Sequence, residues 1–186
     1  MMNGPRRNKQ PEVVRRALLD CTARLAAEHG IAAVTAQAVA AAAGVTKGGL
    51  FHHFPSKEKL IEAVFKDQID QFDAAVESAL IGDPYTDGCF TRAYVNVVVR
   101  LGDNPLMAQS LSVMNDPALR KLWSDWIRAR LERHRETDSG AHLETVRYAA
   151  DGIWLSDLWG VDTDLRSDRE ALRSRLLDAT REKSVK

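Results

Sequence analysis

Hydroxyl, amide, imidazole and ammonium groups are concentrated between residues 35 and 57 of this 186-residue chain. They are carried by Thr35, Gln37, Thr46, Lys47, His52, His53, Ser56 and Lys57. Such groups bind phosphate oxygens and the edges of bases, and the positive end of a helix strengthens these contacts. Because several of them lie where short helices are predicted to begin, the segment is a candidate for binding nucleic acid.

Two short predicted helices position these side chains. The first runs from about Thr35 to Ala43, with the Thr35 hydroxyl able to cap it, and the second begins at Thr46 after a turn at Gly44. The residues expected to point inward are Val39, Ala40, Val45, Leu50 and Phe54. Two short helices joined at a glycine have the form of a helix-turn-helix, although any small helical hairpin could produce the same pattern.

The first 66 residues resemble the DNA-binding domain of the TetR family of bacterial transcriptional regulators. The stretches that carry the resemblance are a first-helix stripe ending at His29 and Gly30, the pair Val39-Ala40, the run from Ala43 to Gly48 and the run from Leu50 to Leu60. The resemblance implies that a third helix, of about Lys47 to His53, lies in the major groove of double-stranded DNA.

The resemblance also assigns DNA contacts to individual positions. Those at phosphates are Thr35, Thr46, Lys47, Phe51, His53 and Lys57, and those that can meet bases are Gln37, Lys47, Gly49 and His52. Two positions depart from the family pattern: Phe51 lacks the hydroxyl of the usual tyrosine, and Gly49 lacks a side chain that could read a base. Two consecutive helical glycines cost about 1 kcal/mol each relative to alanine. Close approach to the DNA backbone explains Gly48 better than Gly49. Because Gly49 has no side chain to read a base, specificity is expected to depend on Gln37, Lys47, His52 and DNA shape.

The adjacent histidines His52 and His53 do not predict a metal site. Neighbouring residues on a helix point about 100° apart, and neither histidine has a cysteine or an acidic residue three or four positions later. We expect one imidazole to face DNA and the other to face a phosphate or the helix packing. No metal and no cofactor is predicted.

The chain has 26 Lys and Arg and 26 Asp and Glu, and its net charge is zero. Divided after residue 66, the first part carries +5 and the remainder −5. A neutral total excludes a protein that coats nucleic acid through bulk positive charge, and the division predicts different tasks for the two parts. Two cysteines, no secretory signal and no apolar run near the roughly 20 residues of a membrane span predict a cytoplasmic protein without disulfides.

The helical periodicity predicts an all-α protein of about nine helices. The first helix runs from about Glu12 to His29 and buries Cys21, and the fourth runs from Ser56 to about Leu80. An Asp or Asn precedes a proline three times, which marks helix starts. Further helices are therefore expected at 84–101, 105–114, 117–136 and 142–159, with a last one after the capping box of Ser167 and Glu170. The expected domains are a basic flexible arm (1–10), a DNA-binding domain (11–66, motif about 34–53) and a ligand-binding and dimerisation domain (67–186).

The last two thirds of the chain contain no phosphate-binding loop and no nucleophile motif, so an enzyme is not predicted. Large aromatic side chains are frequent, and core packing is the simplest interpretation of all four tryptophans. The family resemblance implies a small-molecule pocket among helices four to eight. The candidate pocket residues are Phe72, Tyr94, Met107, Gln109, Ser110, Met114, Trp123, Trp126, Asp151 and Trp154.

Residues 151–160 resemble the penultimate helix of TetR-like regulators, which pairs with the last helix in a four-helix dimer interface. Apolar residues surround most of this helix, so it is expected to be covered on more than one side. The candidate interface residues are Ile153, Asp157, Leu158, Leu172 and Leu176, and the candidate partners of Asp157 are Arg147, Arg169 and Arg173. The basic run 128–135 is interleaved with Glu132 and Glu136, which favours a salt-bridged surface over a second nucleic-acid site.

Together these features predict a homodimeric repressor that binds a pseudo-palindromic operator and releases it on binding a small molecule. Recognition helices in such a dimer lie about 34–36 Å apart, or near a multiple of one DNA turn. The alternative is a DNA-binding interaction protein without a small-molecule ligand, which either binds constitutively or acts with a protein corepressor.

Overall fold

The computed structural model describes residues 11–100, 116–159 and 169–181. Within these ranges the protein is all-α, as predicted: the described residues form nine α-helices and one turn of 3-10 helix, Ile31–Ala33. The first four helices are α1 (Pro11–His29), α2 (Ala36–Ala43), α3 (Lys47–His53) and α4 (Lys57–Ile81). The other five are α5 (Cys89–Arg100), α6 (Pro117–Arg133), α7 (Arg135–Asp138), α8 (Ala141–Leu158) and α9 (Arg169–Ala179).

The chain divides into two compact units, and the boundary between Lys66 and Asp67 lies inside α4. The core of the amino-terminal unit contains the fully buried residues Leu18, Val39 and Leu50. Cys21 belongs to this core, as the spacing of the α1 apolar residues predicts. These contacts pack α1 against α2 and hold α3 by its buried face.

The core of the carboxy-terminal unit is built around α5, which packs against α8 and α9. Its buried residues include Val76 of α4, Phe90 and Val95 of α5, and Ala150 of α8. No described helix combines the length and the apolarity that a membrane span requires.

The predicted helix start at Pro84 is wrong, because α5 begins at Cys89. The Asp83 carboxylate accepts the Tyr85 backbone N–H at 2.9 Å and the Arg92 Nε–H at 2.6 Å, so it stabilises a turn rather than a helix end. Asp138 caps α5 from a distance, accepting the backbone N–H of Thr91 at 2.8 Å. The sequence pattern could not distinguish a local turn from a local cap.

Other boundaries are closer to the prediction. Asp116 caps α6 by accepting the Ala118 N–H at 2.8 Å, as the Asp-Pro pair predicts. The helix predicted to reach residue 136 instead ends at Arg133, and His134 separates it from the short α7. The predicted helix 105–114 and the capping residue Ser167 lie outside the described residues.

Candidate functional site

The α2–turn–α3 segment is held by two threonine caps. The Thr35 hydroxyl oxygen accepts the Ala38 N–H at 3.1 Å, and the Thr46 hydroxyl oxygen accepts the Gly49 N–H at 3.0 Å. Gly44, between the helices, has φ 66°, a left-handed conformation that glycine adopts without steric cost. Because each threonine uses a lone pair for its cap, its O–H group is left to donate to an external acceptor such as a phosphate oxygen.

One side of α3 is exposed and the other is anchored. Leu50 is buried in the core of the amino-terminal unit, whereas Lys47, Gly48, Phe51 and His52 are exposed. The four exposed residues lie at helical positions i, i+1, i+4 and i+5, so they share one face of α3. This exposed α3 face combines an ammonium group, an imidazole and an aromatic ring.

The remaining residues that are predicted to contact DNA lie before and after the exposed α3 face in the sequence. Thr35 and Gln37 are exposed at the start of α2, and His53 and Lys57 are half-buried at the end of α3 and the start of α4. The structure brings Lys47 Nζ to 5.9 Å from the centre of the Phe51 ring, and the His52 and His53 rings lie 5.6 Å apart.

The two glycines of α3 meet different surroundings. A Cβ built on Gly48 would touch only Thr46 Oγ1, at an ordinary 3.9 Å. A Cβ on Gly49 would lie 3.3 Å from the same oxygen, which caps the helix. Neither glycine has a positive φ. Neither backbone conformation therefore requires glycine, and nothing crowds position 48 from within the chain.

The start of α4 adds a third capped helix end. Ser56 Oγ accepts the Lys59 N–H at 3.3 Å. A hydrogen bond with Ser56 and the charge of Lys57 hold the pKa of Glu58 below its usual value. Lys59 pairs with Glu62 at 2.5 Å.

In the carboxy-terminal unit, four of the predicted pocket residues form an aromatic cluster. The Phe72 ring lies 5.9 Å from Tyr94, 5.5 Å from Trp123 and 5.1 Å from Trp126, all in edge-on arrangements. Trp154 packs against the same core. Met107, Gln109, Ser110 and Met114 lie outside the described residues.

Asp151 supplies a half-buried carboxylate next to this aromatic cluster. Its Oδ1 accepts the Tyr94 O–H at 2.6 Å. Burial raises the pKa of Asp151, which the Tyr94 hydrogen bond and Arg147 only partly oppose. Burial and the Asp151 charge raise the pKa of Tyr94 well above its usual value. A carboxyl group perturbed by burial beside aromatic rings is a common feature of ligand sites.

A second carboxylate joins α4 to α6. Asp73 accepts hydrogen bonds from Arg130 Nε and Trp126 Nε1, both at 2.6 Å, and Arg130 also pairs with Glu77. Burial raises the pKa of Asp73. The hydrogen bonds from Arg130 and Trp126 oppose this effect, and the net result is a pKa below the usual value. The prediction of a salt-bridged face holds for Arg130, but the prediction that this residue is solvated is wrong, because its side chain is 11% exposed and bonded to α4.

The candidate dimer residues are mostly directed inward. Ile153 and Leu176 pack against the core of their own unit, and Leu172 is half-buried. Asp157 pairs with Arg169 at 2.7 Å, one of the three predicted partners. The side chain of Leu158 lies outside the described residues.

The exposed side of α8 includes residues that were not predicted from the sequence to contact a second copy. Tyr148 is 66% exposed and Trp159 is 64% exposed, so the prediction of a core role is wrong for Trp159. Gly152 is also exposed, and these three positions fall at i, i+4 and i+11 on one helix face. That spacing was the signal available in the sequence.

Two family descriptions match the chain. "Bacterial regulatory proteins, tetR family" covers residues 18–64, and "Tetracyclin repressor-like, C-terminal domain" covers residues 88–181. The transcriptional repressor KstR2 of Mycolicibacterium smegmatis is 41% identical over 61 residues, which span 33% of this chain and only 30% of that protein. KstR2 of Mycobacterium tuberculosis H37Rv is 26% identical over 158 residues, which cover 76% of this chain and 78% of that protein.

Solved structures share the fold. The multidrug binding protein EbrR complexed with malachite green has a TM-score of 0.70 at 22% identity, covering 94% of this chain and 98% of that chain. A TetR family member from Streptomyces coelicolor A3, SCO1917, has a TM-score of 0.70 at 22% identity, covering 89% and 97%.

Proposed function

This chain belongs to the TetR family of bacterial transcriptional regulators, and on that basis we propose that it is a dimeric repressor that a small molecule releases from operator DNA. The observation that carries the DNA-binding part is the exposed α3 face, presented by two capped helices and anchored by Leu50. We assign residues 11–66 to DNA binding and residues 67–186 to ligand binding and dimerisation, and the division between Lys66 and Asp67 supports this assignment.

The proposed DNA contacts rest on the family resemblance, and the chemistry of each side chain is compatible with its assigned role. The hydroxyl, imidazole and ammonium groups of Thr35, Thr46, Lys47, His53 and Lys57 bind phosphates, and Phe51 packs against the backbone. Base edges are read from Gln37, Lys47 and His52, while Gly48 and Gly49 let the α3 backbone approach DNA closely.

Replacing Lys47 by alanine tests the phosphate contact. DNA binding should weaken on every sequence, and the slope of log affinity against log salt should fall by about 0.9 for each lost contact, or about 1.8 for a dimer. The measurement is fluorescence anisotropy with an operator selected from random DNA. Lys121→Ala is the matched control, since Lys121 lies in the other unit and pairs with Asp125. An unchanged slope for Lys47→Ala contradicts the phosphate role.

The proposed ligand site is the aromatic cluster with the Tyr94–Asp151 pair. Clustered aromatic rings and one half-buried carboxyl group offer an apolar surface with a polar anchor, the usual composition of small-molecule sites. The fold neighbour EbrR is a multidrug binding protein that holds malachite green. Ligand binding should quench the fluorescence of Trp123 and Trp126, and native mass spectrometry of protein purified from its host should show the bound molecule.

Release from DNA requires that ligand and operator oppose each other. Because coupling between two sites is reciprocal, operator DNA should weaken ligand binding by the same factor by which ligand weakens operator binding. A ligand that binds equally well with and without operator would favour the alternative, a DNA-binding protein whose output does not depend on a small molecule.

We place the dimer contact on the exposed side of α8. Tyr148, Gly152 and Trp159 form a face that a second copy would cover, with the glycine permitting close approach of two helices. Tyr148→Arg should shift the protein from dimer to monomer in light scattering, whereas Val13→Arg, at an exposed position in the amino-terminal unit, should not. A Tyr148→Arg protein that remains dimeric would exclude this face. Cytoplasmic localisation is part of the same proposal, since operator DNA is the partner.

A further inference from the structure

Three metal-ligating side chains meet where helices end in the carboxy-terminal unit. Cys89 is the first residue of α5, His134 lies between α6 and α7, and Asp138 is the last residue of α7. One ligand atom from each lies within 4.8 Å of the other two. Cys89 Sγ is 3.9 Å from both His134 Nδ1 and Asp138 Oδ2.

The two Sγ separations are close to those between ligands of one tetrahedral ion, and the imidazole nitrogen and the carboxylate oxygen lie within 4.8 Å of each other. Zinc lies about 2.3 Å from sulfur and about 2.0–2.2 Å from nitrogen or oxygen. Two such ligands on neighbouring corners of a tetrahedron are therefore about 3.3–3.6 Å apart. The 3.9 Å contacts of Sγ need to shorten by only a few tenths of an ångström, whereas as hydrogen bonds they are long and weak.

The carboxylate and the imidazole are both held in place by neighbours. Asp138 is 2% exposed, and its Oδ1 accepts the Thr91 N–H at 2.8 Å and the Thr91 O–H at 2.7 Å. The His134 ring stacks on Phe90 with centroids 5.3 Å apart. Supporting contacts of this kind orient the ligands of metal sites.

The Asp138 oxygen nearest Cys89 can be released for a metal. Oδ2 accepts the Thr137 O–H at 2.8 Å and the Phe90 N–H at a longer 3.3 Å. Thr137 Oγ1 also lies 3.2 Å from the His134 carbonyl oxygen, so its O–H has a second acceptor. A metal can therefore bind Oδ2 without leaving the Thr137 hydroxyl unpaired.

The imidazole of His134 has no strong hydrogen bond in the part of the chain that the structure describes. Nε2 is buried and has no hydrogen-bond partner among the described residues, and Nδ1 is in contact only with Sγ, at 3.9 Å. Burying a polar group without a good partner costs free energy. Ligation through Nδ1 replaces the long contact with Sγ by a bond to the metal, whereas Nε2 stays without a partner among the described residues.

The charges of the three groups balance a divalent ion. A Cys89 thiolate and the Asp138 carboxylate supply two negative charges, and a neutral His134 supplies the third donor. The nearby Arg92 is already paired with Asp83 at 2.6 Å. Arg147 donates to the Thr91 hydroxyl at 2.7 Å and to the Asp138 carbonyl oxygen at 3.3 Å, and it makes no hydrogen bond to the Asp138 carboxylate. Binding replaces the thiol proton, which is released to solvent.

We propose that Cys89, His134 and Asp138 bind one divalent ion of the zinc type, with the fourth position taken by water or a small ligand. The site ties the start of α5 to the α6–α7 corner. It is separate from the aromatic cluster and holds whether or not the protein responds to an organic ligand.

Cobalt titration tests the site directly. The reduced, tag-free full chain is treated with chelator and titrated with Co²⁺, and Zn²⁺ is then added. We expect one Co²⁺ per chain with the absorption of thiolate-bound tetrahedral cobalt, and its loss when Zn²⁺ displaces the cobalt. Zn²⁺ at about a hundredfold excess over its Kd should raise the unfolding midpoint by about 5–10 °C.

Matched variants identify the ligands. Cys89→Ser and His134→Gln should each weaken Co²⁺ binding at least about tenfold, with folding checked by circular dichroism. Cys21→Ala and His29→Gln change the same residue types elsewhere and should keep one thiolate-bound Co²⁺ per chain. A folded wild-type protein without the cobalt–thiolate band overturns the proposal, as does an unchanged band in folded Cys89→Ser.

Discussion

Replacing Gly48 by alanine separates the needs of the fold from those of DNA binding. Gly48 is the second residue of α3, its φ is not positive, and an added Cβ would meet only Thr46 Oγ1 at 3.9 Å. Alanine is favoured over glycine in a helix by about 1 kcal/mol. Near a helix end we expect about 0.5–1 kcal/mol of added stability, which raises the unfolding midpoint by about 1–4 °C in a chain of this length.

DNA binding by Gly48→Ala should change in the opposite direction. Gly48 lies on the exposed α3 face, and a methyl group there would separate the helix backbone from the DNA. We expect affinity for the operator to fall at least about tenfold, or about 1.4 kcal/mol. Because the variant is expected to be more stable than the wild type, weaker binding could not be attributed to unfolding.

Thermal unfolding and fluorescence anisotropy at one fixed salt concentration measure the two effects. Gly49→Ala is the comparison: its Cβ would lie 3.3 Å from the Thr46 oxygen that caps α3, so the propensity gain is offset by a disturbed cap and no net stabilisation is expected. Wild-type affinity in Gly48→Ala would refute close approach of DNA at this position. A lower unfolding midpoint would show that the fold itself needs glycine there.

Three further predictions concern the carboxy-terminal unit. Arg130→Ala leaves the half-buried Asp73 carboxylate without its cation. In urea unfolding, the free energy of unfolding should fall by about 2–3 kcal/mol. Loss of the pair with Glu77, which is more exposed, should contribute little of this decrease. Asp73→Asn should lower the free energy of unfolding most at neutral pH, because the pKa of Asp73 is lowered in the folded state. The ionised carboxylate therefore stabilises the fold above its ordinary pKa of about 3.9, and this stabilisation is lost as the pH falls through the folded-state pKa. A gap between wild type and Asp73→Asn that stays constant down to about pH 2 would contradict this ion pair. Tyr94→Phe removes the hydrogen bond to half-buried Asp151 and should lower the free energy of unfolding by about 1–3 kcal/mol at pH 7 in the same assay. An unchanged midpoint would show that Asp151 finds another donor.

Features that depend on near neighbours in the chain were predictable. Thr46 and Asp116 begin helices because a cap hydrogen bond reaches only two or three residues ahead. Gly44 marks the turn of the DNA-binding motif because glycine alone adopts φ 66° there without cost. The α1 stripe places Cys21 in the core because side chains three and four residues apart share a helix face.

Features that depend on distant partners were not predictable. Asp83 precedes a proline, as a helix cap would, but Arg92 takes its carboxylate, and Asp138 caps α5 from 47 residues away. Arg130 lies in a run that is typical of a solvated face, yet its side chain is only 11% exposed and pairs with Asp73 on α4. In each case the local pattern allowed two arrangements, and a contact with a residue distant in the chain decided between them.

The sequence by itself determined the all-α fold and the capped α2–α3 reading motif, because turns, caps and apolar spacing act within a few residues. Only the tertiary structure decided which carboxylate meets which cation, which aromatic rings cluster on Phe72 and which face of α8 stays exposed. It also brought Cys89 beside His134, 45 residues later in the chain. These contacts depend on how different helices pack against one another, and the periodicity of residues along one helix does not determine which helix packs against it.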